Sequence, residues 1–355
     1  MHVAKLHAAL HAIAEEFDSG QTLQNLDHLE STLAASVASP GEETTSAFRQ
    51  AYEKLEQILQ SAPTNSATPT RRMIFDNIGA SEYIGQGLWT QLSSIITENS
   101  IALANAVQQI SELNQKVQDF YDSVRTLHDK FHDLHIEPDS LPPRQARIAI
   151  AIPPKLVQSN LDGLATEIHE FDDLFKTFQK IAGAEPVSLK ISSIAPSAFQ
   201  LFMDVAPVLA AVVATAIQQI ADIHRNLTAT KKLIQDLAKQ NVPPERIQAL
   251  QADEKLLVGK GLDDLAKSLL AEYCKSTGKS RSDLKVLLAR DLRFLAHRID
   301  HGLLVEAQMS PPAASAKAPR KKLIQTINER GRALADLQRP AGPIFSISLE
   351  DSALD

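Results

Sequence analysis

Along residues 103–134 the apolar side chains fall into two interleaved series. Ile110, Val117, Val124 and Phe131 stand seven apart, and so do Leu113, Phe120, Leu127 and Leu134. The series alternate at three and four residues, which is the a/d seam of a coiled coil. The pattern predicts one long helix over residues 101–136, roughly 50 Å in length. Glu137-Pro138 and Leu141-Pro142-Pro143 stop it, since proline cannot continue a helix. The seam is either the inner stripe of a bundle or an interface with a second chain.

The same reading gives amphipathic helices over residues 2–18, 21–36 and 43–61, separated at Gly20 and at Ser39-Pro40-Gly41. A polar, proline-containing stretch at 61–70 is expected to be a linker. Glycines 79, 85 and 87 predict turns, and a short helix is expected from about 88 to 97. Period-two alternation then appears in Ile148, Ile150 and Ile152, and again in Val187, Leu189 and Ile191, with a third strand expected at 199–203. Leu164, Ile168, Phe171, Phe175 and Phe178 mark a helix between the first two. Further helices are expected over 205–238, 245–258, 262–275 and 282–307, and a Pro/Ala/Lys-rich linker over 309–322.

These elements predict a mainly α protein, a long-helix bundle with coiled-coil-like packing and a small β-sheet inserted in the middle. The expected divisions are an N-terminal helical segment (1–62), a linker with short helices (63–99), a long-helix body (100–310) and a basic tail (311–355).

Composition narrows the function classes. The 355 residues are 44% hydrophobic and 22% charged, as in ordinary globular proteins, and a net charge of −7 disfavours general nucleic-acid binding. Cys274 is the single cysteine, which excludes an internal disulfide and multi-cysteine zinc sites. The N-terminal apolar rhythm is broken by Glu15, Glu16 and Asp18 and reads as a helix, not a signal peptide, so a cytoplasmic location is expected. The apolar run 205–217 is shorter than a bilayer span and is expected to be a core helix, with conditional membrane insertion of 199–223 as the alternative.

Candidate chemistry is sparse. His128, His132 and His135 share the i, i+4, i+7 face of the long helix beside Asp129 and Asp133, a donor set that can ligate zinc. His297 and His301 repeat the i, i+4 spacing around Asp300 but lack the glutamate of a metalloprotease helix. No nucleophile elbow, P-loop or dinucleotide-binding loop is present, and Gly85-Gln86-Gly87 reads as a turn. No catalytic residue and no cofactor is expected. The tail offers a basic stretch, 317–339, as the one place for nucleic acid or anionic lipid. Phe345, Ile347 and Leu349 form a strand pattern suited to pairing with a sheet edge.

Four short segments, IGASEY at 78–83, IEPD at 136–139, the isoleucine strand ending at Pro153 and LKISSI at 189–194, resemble a group of bacterial helical proteins of unassigned function. The resemblance covers roughly residues 75–275. It implies a bacterial source and carries over no site residue. Together these readings lead to an expected non-enzymatic scaffold or interaction protein. It would assemble through its long helix or its tail, with a membrane-acting toxin or defence effector and a metal-dependent enzyme as alternatives.

Overall fold

The computed structural model describes residues 3–337, apart from 158–159, 184–189, 196–198, 241–242, 276–278, 313–316 and 336. The chain forms two compact units, residues 1–140 and 141–355. The division falls after the long helix, where the sequence pattern had placed one before it.

The N-terminal unit is all helix. Its elements are α1 (Val3–Gly20), α2 (Thr22–Ala38), α3 (Glu42–Gln60), α4 (Pro69–Asn77), α5 (Gly85–Glu98) and α6 (Leu103–Asp133). The stretch expected to be a linker is instead packed structure. It holds a 3-10 turn, Pro63–Ser66, and the start of α4, with Ala62, Thr64 and Ala67 buried. Proline serves there as a first-turn residue and not as a breaker.

The α6 helix packs on α1, α2 and α5 of its own unit. Ala106, Ile110, Leu113, Val117, Tyr121 and Val124 are buried, while Phe120 and Phe131 are half-buried. Leu127 and Leu134 are 40% and 67% exposed. A straight helix repeats every 3.6 residues and so drifts away from a strict heptad. About five turns into the helix the inward position has passed from Phe120 to Tyr121, whose ring stacks on Phe17 at 4.7 Å. The seam from Ile110 to Val124 is therefore inner core, not a surface awaiting a second chain. The helix also stops at Asp133, and His135 beyond it has φ +56°.

The C-terminal unit mixes helices with a sheet. Its elements are β1 (Ala146–Ala151), α7 (Leu161–Ile181), β2 (Lys190–Ala195), β3 (Gln200–Val205), α8 (Pro207–Lys239), α9 (Pro244–Tyr273), α10 (Lys279–Asp300), β4 (Leu304–Met309) and α11 (Ala318–Arg330). The four strands form an antiparallel sheet in the order β2-β3-β1-β4. The architecture is thus mainly α with a small sheet. On one face Ile148, Ile150, Leu201, Met203, Val305 and Ala307 join a core built on α7, α8, α9 and α10.

Residues 209–217 of α8 lie within that core, each at most 2% exposed. By length and composition α8 could cross a membrane, but two-thirds of its most apolar window (67%) is buried inside the unit. The one hydroxyl in the run, Thr215, accepts from Arg330 Nη1 at 2.9 Å and bonds Tyr273 Oη at 3.0 Å. Its polarity is thereby matched, as burial requires.

Three elements differ from the pattern-based expectation. Helix α9 runs unbroken through Gly259 and Gly261, where two helices were expected. At Gly261 the absent side chain lets α9 approach Ile223 of α8, since a β-carbon would stand 3.3 Å from Ile223 Cδ1. Strand β4 replaces the end of an expected helix: Gly302, at φ +102°, breaks α10, and Val305, Ala307 and Met309 then alternate inward. Residues 318–330, expected in a flexible basic stretch, form α11, which buries Ile324 and Ile327. The expected tail strand with Phe345, Ile347 and Leu349 lies outside the described residues.

Helix α11 also closes the outer edge of β4. Ala307 N–H donates to Gly331 O at 3.1 Å. Asn328 then mimics a strand residue, accepting from Met309 N–H at 2.7 Å and donating to Met309 O at 3.1 Å. An open strand edge is a template for foreign strands, and this one is capped at two rungs.

Candidate functional site

Three polar constellations stand out, and each is built from elements distant in sequence. The first surrounds Glu16, which α1 turns inward one turn after Ile13. The carboxylate is 2% exposed. It accepts from the backbone N–H of Gly85 at 2.9 Å, from Thr64 N–H at 3.4 Å and from the Thr64 hydroxyl. Gln86 N–H donates in turn to Asn65 Oδ1 at 2.7 Å. Gly85-Gln86-Gly87 is therefore the capped first turn of α5, and its free N–H groups are met by side chains from elsewhere in the chain. Gly87 has no room for a side chain, because a β-carbon would meet Ser81 O at 1.8 Å. The sequence signal was available: Glu16 falls three residues after Ile13, on the apolar face and not against it.

Burial pushes the Glu16 carboxyl above its ordinary value, against the opposing pull of the bonds from Thr64 and Gly85. A raised pKa means that the folded state prefers the protonated form. The stabilising contribution is full below the unfolded value of 4.5 and is lost as pH rises through the folded pKa. Relative to Glu16→Gln, the wild type is therefore expected to gain melting temperature as pH falls from 7 toward 4.5. A constant difference between the two, measured by calorimetry across that range, would refute the assignment. Glu16→Ala strands the Gly85 and Thr64 donors and is expected to cost at least about 2 kcal/mol.

The second constellation joins α1 to the end of α6. The rings of His11 and His128 stack at 5.5 Å, and His11 Nδ1 stands 3.4 Å from His128 Nε2. His7 sits edge-on to His128 at 5.1 Å, and its Nδ1 bonds the carbonyl of Ile136. Nδ1 of His128 lies 3.3 Å from Asp129 Oδ1. The helical spacing had grouped His128 with His132 and His135. The structure instead turns His128 toward α1, and His135 falls past the helix end, off the shared face. Among the described residues no three of His, Cys, Asp and Glu form a ready metal cage.

The third lies in the C-terminal unit. Arg298 forms a two-pronged pair with Glu167, Nη2 to Oε1 at 2.6 Å and Nε to Oε2 at 2.9 Å. His224 Nε2 and Asp300 Oδ1 approach to 3.6 Å with both side chains buried. His297 and His301 stack at 4.1 Å, and His301 Nδ1 donates to His297 O at 2.8 Å. Burial, with His301 and the Arg298 guanidinium beside it, pushes His297 down to about 4, so its ring is neutral near pH 7. Cys274 is buried at the end of α9, a small apolar side chain in the core.

These groups hold helices together. None sets a nucleophile beside a base and an oxyanion donor, the geometry that would define a reaction class. No family model, curated protein or solved structure matches the chain. The resemblance over residues 75–275 accordingly rests on its four short segments alone.

Proposed function

We propose that the chain is a helical interaction protein of a bacterial system, working by self-association and not by catalysis. The observation that carries this reading is the outer part of the α8–α9 hairpin. Leu233 and Leu250 lie six residues from the loop-side ends of their helices, at one level, and are 59% and 39% exposed. Nearer the core, Leu256 and Leu257 are 73% and 62% exposed. Single exposed leucines are common on monomers, whereas several on one two-helix projection mark a surface for association. A second copy offers the same apolar hairpin, and two hairpins packed about a two-fold axis make a four-helix contact. The buried seam of α6 supports shifting this role from the long helix to the hairpin.

Sedimentation velocity over a micromolar range should show a monomer–dimer equilibrium. Leu233→Lys combined with Leu257→Lys should leave a folded monomer. A chain ending at residue 337 should still dimerise if the hairpin, not the tail, makes the contact. A monomer at every concentration overturns the proposal, and so does a dimer indifferent to the lysines.

A further inference from the structure

The histidines shared by α1 and α6 have an arrangement that the fold alone does not require. We propose that His11 and His128 chelate a divalent transition-metal ion of the zinc class, clipping the middle of α1 to the end of α6. Two nitrogen ligands bound to zinc at 2.0–2.1 Å in tetrahedral geometry lie roughly 3.4 Å apart. His11 Nδ1 and His128 Nε2 already stand 3.4 Å apart.

Proton placement supports the same reading. His128 Nδ1 faces the Asp129 carboxylate and so carries the hydrogen, which leaves Nε2 with its lone pair. A carboxylate behind a ligating imidazole is the usual outer partner of a metal-bound histidine. His11 is exposed, so its proton can pass through solvent to Nε2 and free Nδ1 for the metal. Water completes the coordination. His7, one turn before His11, sits edge-on to the His128 ring at 5.1 Å, and its Nδ1 hydrogen is committed to the Ile136 carbonyl, so it braces the His128 ring from behind. An all-imidazole donor set selects zinc, copper or nickel over magnesium or calcium.

The test uses untagged full-length protein stripped with a chelator and titrated with zinc chloride in a calorimeter, with melting followed in parallel. The expected result is one zinc bound per chain, a melting temperature raised by several degrees, and no response to magnesium. His11→Ala and His128→Ala should each weaken binding at least tenfold, while His132→Ala and His135→Ala should leave it unchanged. His11→Ala decides the matter if His128→Ala fails to fold, because the His11 side chain is exposed. Absence of zinc binding, or binding that survives His11→Ala, overturns the proposal.

Discussion

Arg298→Ala is expected to destabilise the C-terminal unit by about 3–5 kcal/mol, the cost of leaving a buried charge without its partner. Arg298 and Glu167 are 15% and 5% exposed at the side chain, and both prongs of the pair are short. The pair fastens α10 to α7, and the guanidinium also lies 4.8 Å from the centre of the Phe294 ring. Removing the arginine strands the carboxylate in the interior and strips the ring of its cover. The pair itself contributes little beyond what apolar side chains of similar volume would. Arg298→Met with Glu167→Leu is therefore expected to recover most of the loss. Urea denaturation of the two single variants and the double variant checks both statements. A double variant as unstable as Arg298→Ala would show that the site needs charge for another reason.

Gly331→Ala should be nearly as damaging, through a different cause. The backbone there is ordinary, with φ −66°, so conformational freedom is not the issue. The issue is approach: a β-carbon would stand 1.9 Å from Ala307 O and 2.6 Å from Ile327 O. These are backbone atoms, and they can yield only if α11 lifts from β4. The expected loss is about 3 kcal/mol or more, with faster amide exchange at Ala307 and Met309. Gly259→Ala is the matching control. Nothing lies within 4 Å of its added β-carbon, inside a helix, so stability should rise by up to about 1 kcal/mol. Equal effects of the two substitutions in a thermal melt would defeat the steric account.

The helices were legible in the sequence because their signal is local. Apolar spacing placed α1, α2, α3, α6 and α8 within a few residues, and proline and glycine marked their ends. Strand β4 was missed because residues 282–307 read as one helical run, and the strand that carries the alternation of Val305, Ala307 and Met309 is only six residues long. The break expected between 258 and 262, a stretch that holds Gly259 and Gly261, is one that α9 does not make, since contact with α8 outweighs a weak local preference. The polar constellations were illegible for a firmer reason. His11 and His128 are 117 positions apart, and Arg298 and Glu167 are 131 apart. No spacing rule links such pairs. Glu16 was read as a break in the apolar rhythm of its helix, although its place one turn after Ile13 puts it on the buried face.

The strand order also has a consequence for how the chain is made. Strand β1 lies between β3 and β4, yet its partners are synthesised at 200–205 and 304–309. One flank of β1 closes once α7 and β2 have been made, and the other stays open until three long helices have followed. During synthesis an apolar strand with one bare edge therefore waits for the last element of its sheet. Chains cut short before residue 304 should be prone to misassembly at that edge, and once β4 has covered it the cap formed by Asn328 and Gly331 closes the outer edge of β4 in turn.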